Sequence, residues 1–391
     1  MSGSGHLTTA VSTGGEACAG MFSGIGGLEL GLGAAGFDAK MLCEIDSHAR
    51  EVLASRFDGI EVLRDIQKLK ALPHAHLLAA GFPCQDLSQA GRTTGISGAK
   101  SGIVQHLFAL LNDASPRPEW LLIENVPFML KLNHGAAIAY VTSELERLGY
   151  AWAYRVVDSR AFGVPQRRRR VYLLASRTGD PRVIHMNDAG MQPERVWDGG
   201  AVGFYWTEGN RGLGWVPGGV PTLKGGSSIG IPSAPAIWLP DGTIGTLDIR
   251  DAERLQGFEP DWTVAVQSGR GGVRWRLVGN AVTVPVAKWV GGLVMKPPTG
   301  PPPTGHRMDA QGPWPDAAWG GSGERYAVGC SAWPRQEPTP DIAEFLQHPL
   351  KPLSLKATSG FNSRLSRSTL RRPKEFDEAL RMHIDKMQQL Q

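Results

Sequence analysis

Residues 17–35 read ACAGMFSGIGGLELGLGAA, an apolar run followed by a glycine-rich loop and a stretch with helical apolar spacing. This order predicts a strand over Ala17–Phe22, a turn over Phe22–Gly27 and a helix over Leu28–Ala35. Glycines at such a turn let the backbone approach a ligand closely. Glu29 occupies the third glycine position of the dinucleotide pattern G-x-G-x-x-G, which argues against a pyrophosphate ligand.

The same alternation of strand and helix patterns continues to about residue 175. Further candidate strands are Ala39–Cys43, Leu77–Ala80, Trp120–Ile123 and Val171–Ala175, and the candidate helices are Ser47–Phe57, Ile103–Asn112 and Ala137–Leu148. The alternation predicts the α/β fold class, with an open and mostly parallel sheet covered by helices. Ligands of such sheets bind at the carboxyl ends of the strands.

The composition of the sequence changes after residue 177. Gly, Pro and Trp dominate up to Thr246, and the helical spacing of apolar residues is lost. This composition predicts a compact, loop-rich second domain. Helical spacing returns at Ile249–Leu255 and again after Pro285. The repeated Pro-Pro-Thr-Gly of residues 297–305 predicts a semi-rigid linker. A last helix is predicted to begin at Pro373.

The composition limits the classes of protein to which this chain can belong. The chain has 391 residues, of which 41% are hydrophobic and 20% are charged, an ordinary soluble balance. It has no apolar run long enough to span a bilayer and no secretory signal, so we expect a cytoplasmic protein with no membrane partner. The four cysteines have no C-x-x-C spacing, which predicts neither a metal site nor a disulfide framework.

Positive charge is concentrated in the tail. Residues 351–391 contain nine Lys/Arg and four Asp/Glu, whereas the whole chain has a net charge of only +4. Clustered basic charge is compatible with a polyanionic partner, and a solvated helix face explains the charge equally well. Because residues 359–372 are dense in Ser, Asn and Arg, one hypothesis is that they hold a nucleic-acid backbone. The alternative is that Phe376, Leu380 and Ile384 pack the tail onto the first domain.

Chemically useful residues follow the predicted strands. Glu44 lies where a carboxylate commonly bonds ribose hydroxyls, and Asp65 follows the next apolar stretch. Cys84 stands in the segment GFPCQDLS of residues 81–88, whose glycine, proline and glutamine are poor core material. Glu124 ends another strand, where it could act as a general acid beside a nucleophile.

Taken in order, seven segments resemble the motifs of the C5-cytosine methyltransferase family, over about residues 17–295. The matching segments are the F-x-G-x-G-G loop at Phe22–Gly27, E-x-D at Glu44–Asp46, P-C-Q at Pro83–Gln85, E-N-V at Glu124–Val126, Q-x-R-x-R at Gln166–Arg170, R-L-Q-G-F at Arg254–Phe258, and the segment Gly279–Pro285. Seven motifs in the family's order make coincidence very improbable.

The resemblance implies a Rossmann-like, S-adenosylmethionine-dependent methyltransferase domain with a small loop-rich target-recognition domain; a C-terminal helical extension follows. The predicted domains are a flexible N-terminus (1–16), the first part of the catalytic domain (17–176), the target-recognition domain (177–246), the closing part of the catalytic domain (247–296), a Pro-rich linker (297–305) and the extension (306–391). The tail has no counterpart in the minimal members of the family.

The resemblance also implies residue roles. Cys84 is the nucleophile that attacks C6 of cytosine, Glu124 bonds the base at N3 and the amine, and Arg168 and Arg170 orient the base. The residues implied to bind S-adenosylmethionine are Phe22, Ser23, Gly24, Ile25, Gly26, Gly27, Glu44, Ile45, Asp65, Ile66, Pro83, Asn280 and Ala281. The residues implied to contact DNA are Gln85, Ser88, Arg92, Thr222 and Leu223. No metal is expected.

The implied partner is double-stranded DNA, bound by a monomer encoded by a prokaryote or a phage. A cognate restriction endonuclease or a defence system is left open as a protein partner. Methylation of RNA or tRNA is an alternative, against which stands a second domain large enough to read DNA. A catalytically inert DNA-binding relative is a further alternative, and the intact Cys84, Glu124 and Gln166–Arg170 argue against it. The recognition sequence does not follow from the chain.

Overall fold

The computed structural model describes residues 14–82, 102–192, 194–210, 212–226, 234–266, 272–309 and 312–390. The chain divides into two compact units. The first unit is drawn from Met1–Asp158, Arg169–Met191 and Val282–Arg335. The second is drawn from Ser159–Arg168, Gln192–Ala281 and Gln336–Gln391.

The strands of the described residues are short and lie in both units. In chain order they are β1 (Glu16–Met21), β2 (Phe37–Cys43), β3 (Glu61–Leu63), β4 (Leu77–Ala80), β5 (Trp120–Asn125), β6 (Ala151–Asp158), β7 (Gln166–Arg167), β8 (Arg169–Ser176), β9 (Val202–Phe204), β10 (Val216–Pro217), β11 (Val220–Pro221), β12 (Ala236–Trp238), β13 (Ile244–Thr246), β14 (His306–Arg307), β15 (Ala317–Gly321), β16 (Glu324–Ala327) and β17 (Lys351–Pro352).

The α-helices alternate with these strands in the first part of the chain and recur near its end. They are α1 (Gly27–Gly33), α2 (Ser47–Arg56), α3 (Gly102–Asp113), α4 (Ala136–Arg147), α5 (Ile249–Arg254), α6 (Gly272–Asn280), α7 (Val284–Met295), α8 (Ile342–Phe345), α9 (Leu355–Leu365) and α10 (Lys374–Gln389).

The first unit is built on a ten-stranded sheet with the order β14-β16-β15-β6-β8-β5-β4-β1-β2-β3. The five strands from β5 to β3 are parallel, and every pair from β5 to β14 is antiparallel. All residues of β4 and β5 are buried, as expected of central strands that helices cover on both faces. The predicted α/β, Rossmann-like fold class is confirmed, although parallel pairing extends over only half of the sheet.

Close packing fixes the helices that flank the glycine-rich loop. A Cβ on Gly31 of α1 would come within 2.5 Å of the Cβ of Ala287 on α7, so only glycine allows this approach. Asp46 caps α2, since its carboxylate accepts hydrogen bonds from the backbone N–H groups of His48 and Ala49 at 3.0 and 3.1 Å. These contacts set the position of the loop against the sheet.

The second unit contains a five-stranded antiparallel sheet with the order β10-β9-β12-β13-β17. Its core joins Phe204 and Trp238 of this sheet to Phe361 of α9 and to Phe376 and Leu380 of α10. The tail helices therefore pack on the region predicted to recognise the target. The hypothesis that Phe376 and Leu380 hold the tail on the predicted catalytic domain is wrong, because their apolar partners come from β9 and β12.

The structural units and the predicted domain boundaries differ in four places. Residues 159–168 and 247–281, predicted to belong to the catalytic domain, cluster with the second unit, and residues 177–191, predicted to recognise the target, cluster with the first. The predicted extension is shared, with residues 306–335 in the first unit, because β15 extends the main sheet at β6. Among the described residues, one helical stretch, Gly272–Met295, is long and apolar enough to cross a membrane, and 78% of its apolar window is buried, as in a core helix.

Candidate active site

Four parallel strands end at one edge of the main sheet. The register pairs Met21 of β1 with Cys43 of β2 and with Ala80 of β4, and it pairs Ala80 with Ile123 of β5. The next residues along these strands therefore share the carboxyl edge. They are Phe22, Glu44, Gly81 and Glu124. The alternation of strands and helices predicted this edge as the ligand site, and the structure brings these side chains to it.

The glycine-rich loop turns sharply at this edge. Phe22, Gly24 and Gly26 have φ angles of 58°, 55° and 85°, in the left-handed region. A Cβ added to Gly24 would meet nothing within 4 Å, so the space in front of this residue is open. Ile25, between two glycines of this loop, is 1% exposed.

Glu44 organises the loop from the neighbouring strand. Its carboxylate accepts hydrogen bonds from the backbone N–H groups of Gly24 and Asp46, both at 2.8 Å. Burial raises the pKa of Glu44, although these hydrogen bonds favour the charged form. The adjacent Ile45 is 66% exposed, which is unusual for an isoleucine and leaves an apolar surface beside the open space.

The other predicted cofactor residues have more local roles. Asp65 caps a short helix by accepting a hydrogen bond from the N–H of Gln67, and Ile66 is buried behind it. Ser23 and Gly27 are buried within the loop and at the start of α1. Asn280, exposed, and Ala281, buried, belong to the second unit and are not part of the strand edge described above.

Glu124 and Arg170 form an ion pair at the same edge. The Nε of Arg170 lies 3.2 Å from Oε1 of Glu124, and both side chains are largely buried. The pairing follows from topology, because β8 runs antiparallel to β5 and Asn125 is opposite Val171. Arg170, the second residue of β8, thus lies beside Glu124, the last residue but one of β5.

The segment that precedes the predicted nucleophile is held against this pair. The Nδ2 of Asn125 donates a hydrogen bond to the carbonyl of Phe82 at 3.0 Å, and a Cβ at Gly81 would lie 3.8 Å from Oε2 of Glu124. Phe82 also contacts Phe22 edge to face, with ring centroids 6.1 Å apart. Cys84 itself lies outside the described residues. So do four other predicted site residues: Pro83, Gln85, Ser88 and Arg92.

Arg168 lies in the second unit and is 1% exposed. Its guanidinium donates hydrogen bonds to the backbone carbonyls of Leu223, Gly279 and Ala281, at 3.1, 3.2 and 2.6 Å. It therefore joins three segments of that unit. Arg170, two residues further on, is the arginine that contacts Glu124.

The predicted DNA-contacting pair Thr222 and Leu223 is tied to the same segment of the chain. The hydroxyl of Thr222 donates to the carbonyl of Arg167 at 2.7 Å, and the N–H of Leu223 donates to Oε1 of Gln166 at 2.9 Å. The side chain of Leu223 is only 1% exposed. Within the second unit, the motif Gln166–Arg170 thus positions the Thr-Leu pair through its first residues.

The cysteines that the structure describes are poor nucleophiles. Burial raises the pKa of Cys18 to about 12 and that of Cys43 to about 11. Burial also raises the pKa of Cys330. Since the thiolate is the reactive form, none of these three is suited to attack at neutral pH. Among the described residues, no group of three or more His, Cys, Asp or Glu could hold a metal ion.

The site prediction did not include Asn125 or Glu29. Asn125 follows Glu124 directly, and the sequence showed it only as part of the E-N-V motif. Its hydrogen bond to the carbonyl of Phe82 depends on the order of the strands in the sheet. Glu29 is buried in the first turn of α1, where its carboxyl group and the hydroxyl of Ser23 both lie within 3 Å of the Cβ position of Gly20. The feature of the sequence that marked Glu29 was its place at the third glycine position of the dinucleotide pattern.

Comparisons with known proteins fit this geometry. A sequence model of the family described as C-5 cytosine-specific DNA methylase matches residues 17–196. The Type II methyltransferase M2.BsuMI of Bacillus subtilis (strain 168) is 48% identical over 367 residues, which cover 89% of this chain and 93% of the relative. The chain belongs to the C-5 cytosine-specific DNA methylase family. This methylase is accordingly a DNA (cytosine-5-)-methyltransferase.

Other comparisons of the methylase are more distant. The Type II methyltransferase M.DsaV of Dactylococcopsis salina is 26% identical, over 68% of this chain and 82% of the relative. The crystal structure of S. pombe Dnmt2 methyltransferase aligns with a TM-score of 0.54 at 18% identity, and the alignment covers 72% of this chain and 99% of that chain. At this identity the likeness shows the fold alone.

The strand edge of the methylase fits the cofactor that its family uses. S-adenosylmethionine combines an adenosine with an amino-acid end, and it needs polar groups for the ribose, an apolar surface for the base and room near the backbone. These requirements are met by the acidic Glu44 and Asp65 for the ribose, by exposed Ile45 for the base and by the open space at Gly24.

Proposed function

We propose that the methylase transfers a methyl group from S-adenosylmethionine to C5 of a cytosine flipped out of a specific DNA duplex, through a covalent bond between Cys84 and C6. The observation that carries this proposal is the buried ion pair of Glu124 and Arg170 beside Gly81. Glu124 lies next to Gly81, which precedes Cys84 by three residues, and a carboxylate near a cysteine nucleophile is the arrangement that attack on a pyrimidine requires.

The first step activates an unreactive carbon. C5 of cytosine is a poor nucleophile because it belongs to an aromatic ring. Addition of the Cys84 thiolate to C6 breaks the aromaticity and makes C5 enamine-like. Asn125 holds the carbonyl of Phe82, two residues before Cys84, at 3.0 Å, so the described residues that lead to Cys84 are fixed at the sheet edge.

Glu124 and Arg170 act on the base during this step. The Glu124 carboxyl group bonds N3 and the exocyclic amine, and it stabilises the charge that develops on the ring as sulfur adds. Arg170 orients Glu124 through their 3.2 Å contact and adds a positive charge at the ring's edge. Once C5 carries the methyl group, loss of the C5 proton and expulsion of the thiolate from C6 restore the aromatic ring and the free enzyme.

The cofactor, when bound, supplies a methyl group on a positively charged sulfur, the electrophile that an enamine carbon needs. Glu44 and Asp65 would hold the ribose and base end, and exposed Ile45 would contact the adenine face. The loop from Phe22 to Gly26 would hold the amino-acid end through its backbone. Asn280 and Ala281 remain predicted contacts from the second unit.

We assign DNA recognition to the second unit. Its Thr222–Leu223 pair is fixed to Arg167 and Gln166, which belong to the same family motif as Arg170. DNA is favoured over RNA because M2.BsuMI, the 48% identical relative that matches over most of its length, is a Type II methyltransferase. A base stacked in a duplex must first be flipped out, at a cost of about a few kcal/mol. A cognate endonuclease and the monomeric state stay predictions.

The role of Glu124 can be tested with a matched control. The variant Glu124→Gln keeps the size of the side chain but cannot supply a proton or a charge. We expect its rate of methyl transfer to fall by about 10²–10⁴-fold. Glu144→Gln is the control, since Glu144 pairs with Arg147 at 2.8 Å on the surface helix α4.

The measurement has two parts. Bisulfite sequencing of DNA from cells that express the wild type maps the methylated site, and labelled S-adenosylmethionine then gives the rate of methyl incorporation into a duplex carrying that site. A Glu124→Gln variant as fast as the Glu144→Gln control would refute the assigned role. An absence of new methylated cytosines with the wild type would refute the proposed function.

A further inference from the structure

The connection between α9 and α10 is an exposed basic segment. It reads SRSTLRRPK over residues 366–374, and we call it the basic connection. Its exposed members include Arg367, Arg371 and Lys374, with the hydroxyl groups of Ser366 and Thr369 among them. Such side chains donate to phosphate oxygens without reading bases. The connection is the most basic part of a tail that holds the chain's excess of positive charge.

The basic connection is anchored to the second unit. Leu370 packs against the core cluster that contains Phe204 and Phe376. At one end, the guanidinium of Arg364 donates to the carbonyls of Glu208 and Trp206 at 2.8 and 2.9 Å. A rigid base of this kind reduces the entropy lost when the exposed side chains bind a ligand.

Two of the arginines in this region are engaged in holding the structure. Arg364 is committed to the carbonyls above, and Arg372 pairs with Asp377 at 2.7 Å while it also donates to the carbonyl of Leu370. The remaining exposed charges of the connection are those of Arg371 and Lys374 and that of Arg367, whose Nε donates to the carbonyl of Ser363 at 2.9 Å. This division separates the residues that fix the segment from those that could contact a partner.

The connection adjoins the residues assigned to DNA. Glu208 links α9, the helix that precedes the connection, to these residues, because its carbonyl accepts a hydrogen bond from Arg364 while its carboxylate pairs with Lys224. Lys224 directly follows the Thr222–Leu223 pair, and the hydroxyl of Tyr205 donates to the carbonyl of Thr222 at 2.7 Å. An open cleft of about 460 Å³, whose walls include Glu208, Asn210 and Arg364, lies at this junction.

We propose that the basic connection binds the phosphate backbone of the DNA whose target sequence the Thr222–Leu223 region contacts. The inference rests on the proposed function, since it requires that the second unit binds duplex DNA. The contacts are independent of sequence, and they extend the grip of the protein beyond the base pairs that it reads. The tail thereby becomes part of the DNA-binding surface, and its helices α9 and α10 carry it.

The test compares two charge-matched double variants. Arg371→Gln/Lys374→Gln removes one arginine and one lysine from the basic connection. The control Arg177→Gln/Lys386→Gln removes the same charges from two other exposed positions. Arg177 follows β8 at the amino edge of the parallel strands, and Lys386 lies about 18 Å from Lys374 along α10. Dissociation constants are measured for a labelled duplex with the methylated site and for an unrelated duplex, over a range of salt concentrations.

We expect the slope of log K against log salt to fall by about 0.9 for each lost phosphate contact, hence by about 1.8 for the test variant. Affinity should weaken equally for both duplexes, and the control should keep the wild-type slope. The charge-preserving Arg371→Lys/Lys374→Arg should also keep it, and melting temperatures should agree among all variants.

An unchanged slope for Arg371→Gln/Lys374→Gln, in a series whose wild type binds and methylates DNA, would overturn this inference and leave the proposed function intact. A loss of slope in the charge-preserving variant would also overturn it, because the effect would then come from altered structure. If the wild type binds neither duplex, the proposed function fails together with the inference.

Discussion

Two buried carboxyl groups of the first unit differ in their surroundings. Glu124 faces the guanidinium of Arg170 at the edge of the sheet, where a charged carboxylate is stabilised. Glu29, 2% exposed, lies under β1 beside Gly20 and Ser23, and burial raises its pKa to about 7. The same residue type thus faces a guanidinium at the candidate site in one place and packs under the loop in the other.

The raised pKa of Glu29 predicts how stability depends on pH. Between the ordinary value of 4.5 and about 7, the unfolded chain releases this proton while the folded chain retains it. The protonated group therefore makes its full contribution to the free energy of unfolding below pH 4.5. This contribution, about 3 kcal/mol, is lost as pH rises through 7. Glu29→Gln stays neutral, so its stability should not fall over this range as that of the wild type does.

Urea unfolding midpoints of the two proteins, followed from pH 5 to pH 8, check this expectation. Other groups titrate in both proteins and largely cancel in the difference. A difference between the midpoints that does not change with pH would show that Glu29 is ionised in the folded protein throughout, contrary to its burial.

At the scale of elements, the strand ends and the loop between β1 and α1 make the site. The predicted strands and helices from Ala17 to Ala175 correspond to observed elements within a few residues, because apolar spacing and strand-to-helix turns are local features of sequence. The short strands β14 to β16 were not predicted. Residues such as His306–Arg307 become a strand only through pairing with β16, a partner that local spacing does not reveal.

The loop offers a sharp test of cofactor binding, because the chain contains a matched pair of glycines. Gly24 and Gly59 have φ angles of 55° and 73°, and a Cβ on either would meet nothing within 4 Å. An alanine at either position costs about 1–2 kcal/mol of left-handed strain. We expect both variants to lose similar stability, and Gly24→Ala alone to bind S-adenosylmethionine at least tenfold more weakly, since its methyl group enters the open space.

Isothermal titration with S-adenosylmethionine and thermal unfolding supply the two readouts. Equal affinities for the Gly24→Ala and Gly59→Ala variants would place the cofactor away from this loop. The comparison does not depend on catalysis, and so it tests the binding site separately from the reaction.

At the scale of the whole molecule, the chain passes between two compact units more than once. The tail contributes β14 to β16 to the first unit and α9 and α10 to the second. Family motifs, read in order along the chain, gave the catalytic residues, and their roles stay predictions. The use of Arg168 as a link among Leu223, Gly279 and Ala281 was not predictable, because those carbonyls come from two segments that are distant from Arg168 in sequence.

The proposed mechanism requires that Cys84 attacks C6 of a cytosine in DNA. The most direct measurement uses a duplex with 5-fluorocytosine at the methylated position, incubated with the protein and S-adenosylmethionine and then resolved on a denaturing gel. Fluorine at C5 blocks the final elimination, so the wild type should remain covalently attached, and mass spectrometry should place the bond on Cys84. Cys84→Ala should form no adduct while it binds S-adenosylmethionine normally. Absence of an adduct with the wild type, or methylation by Cys84→Ala, would contradict the mechanism.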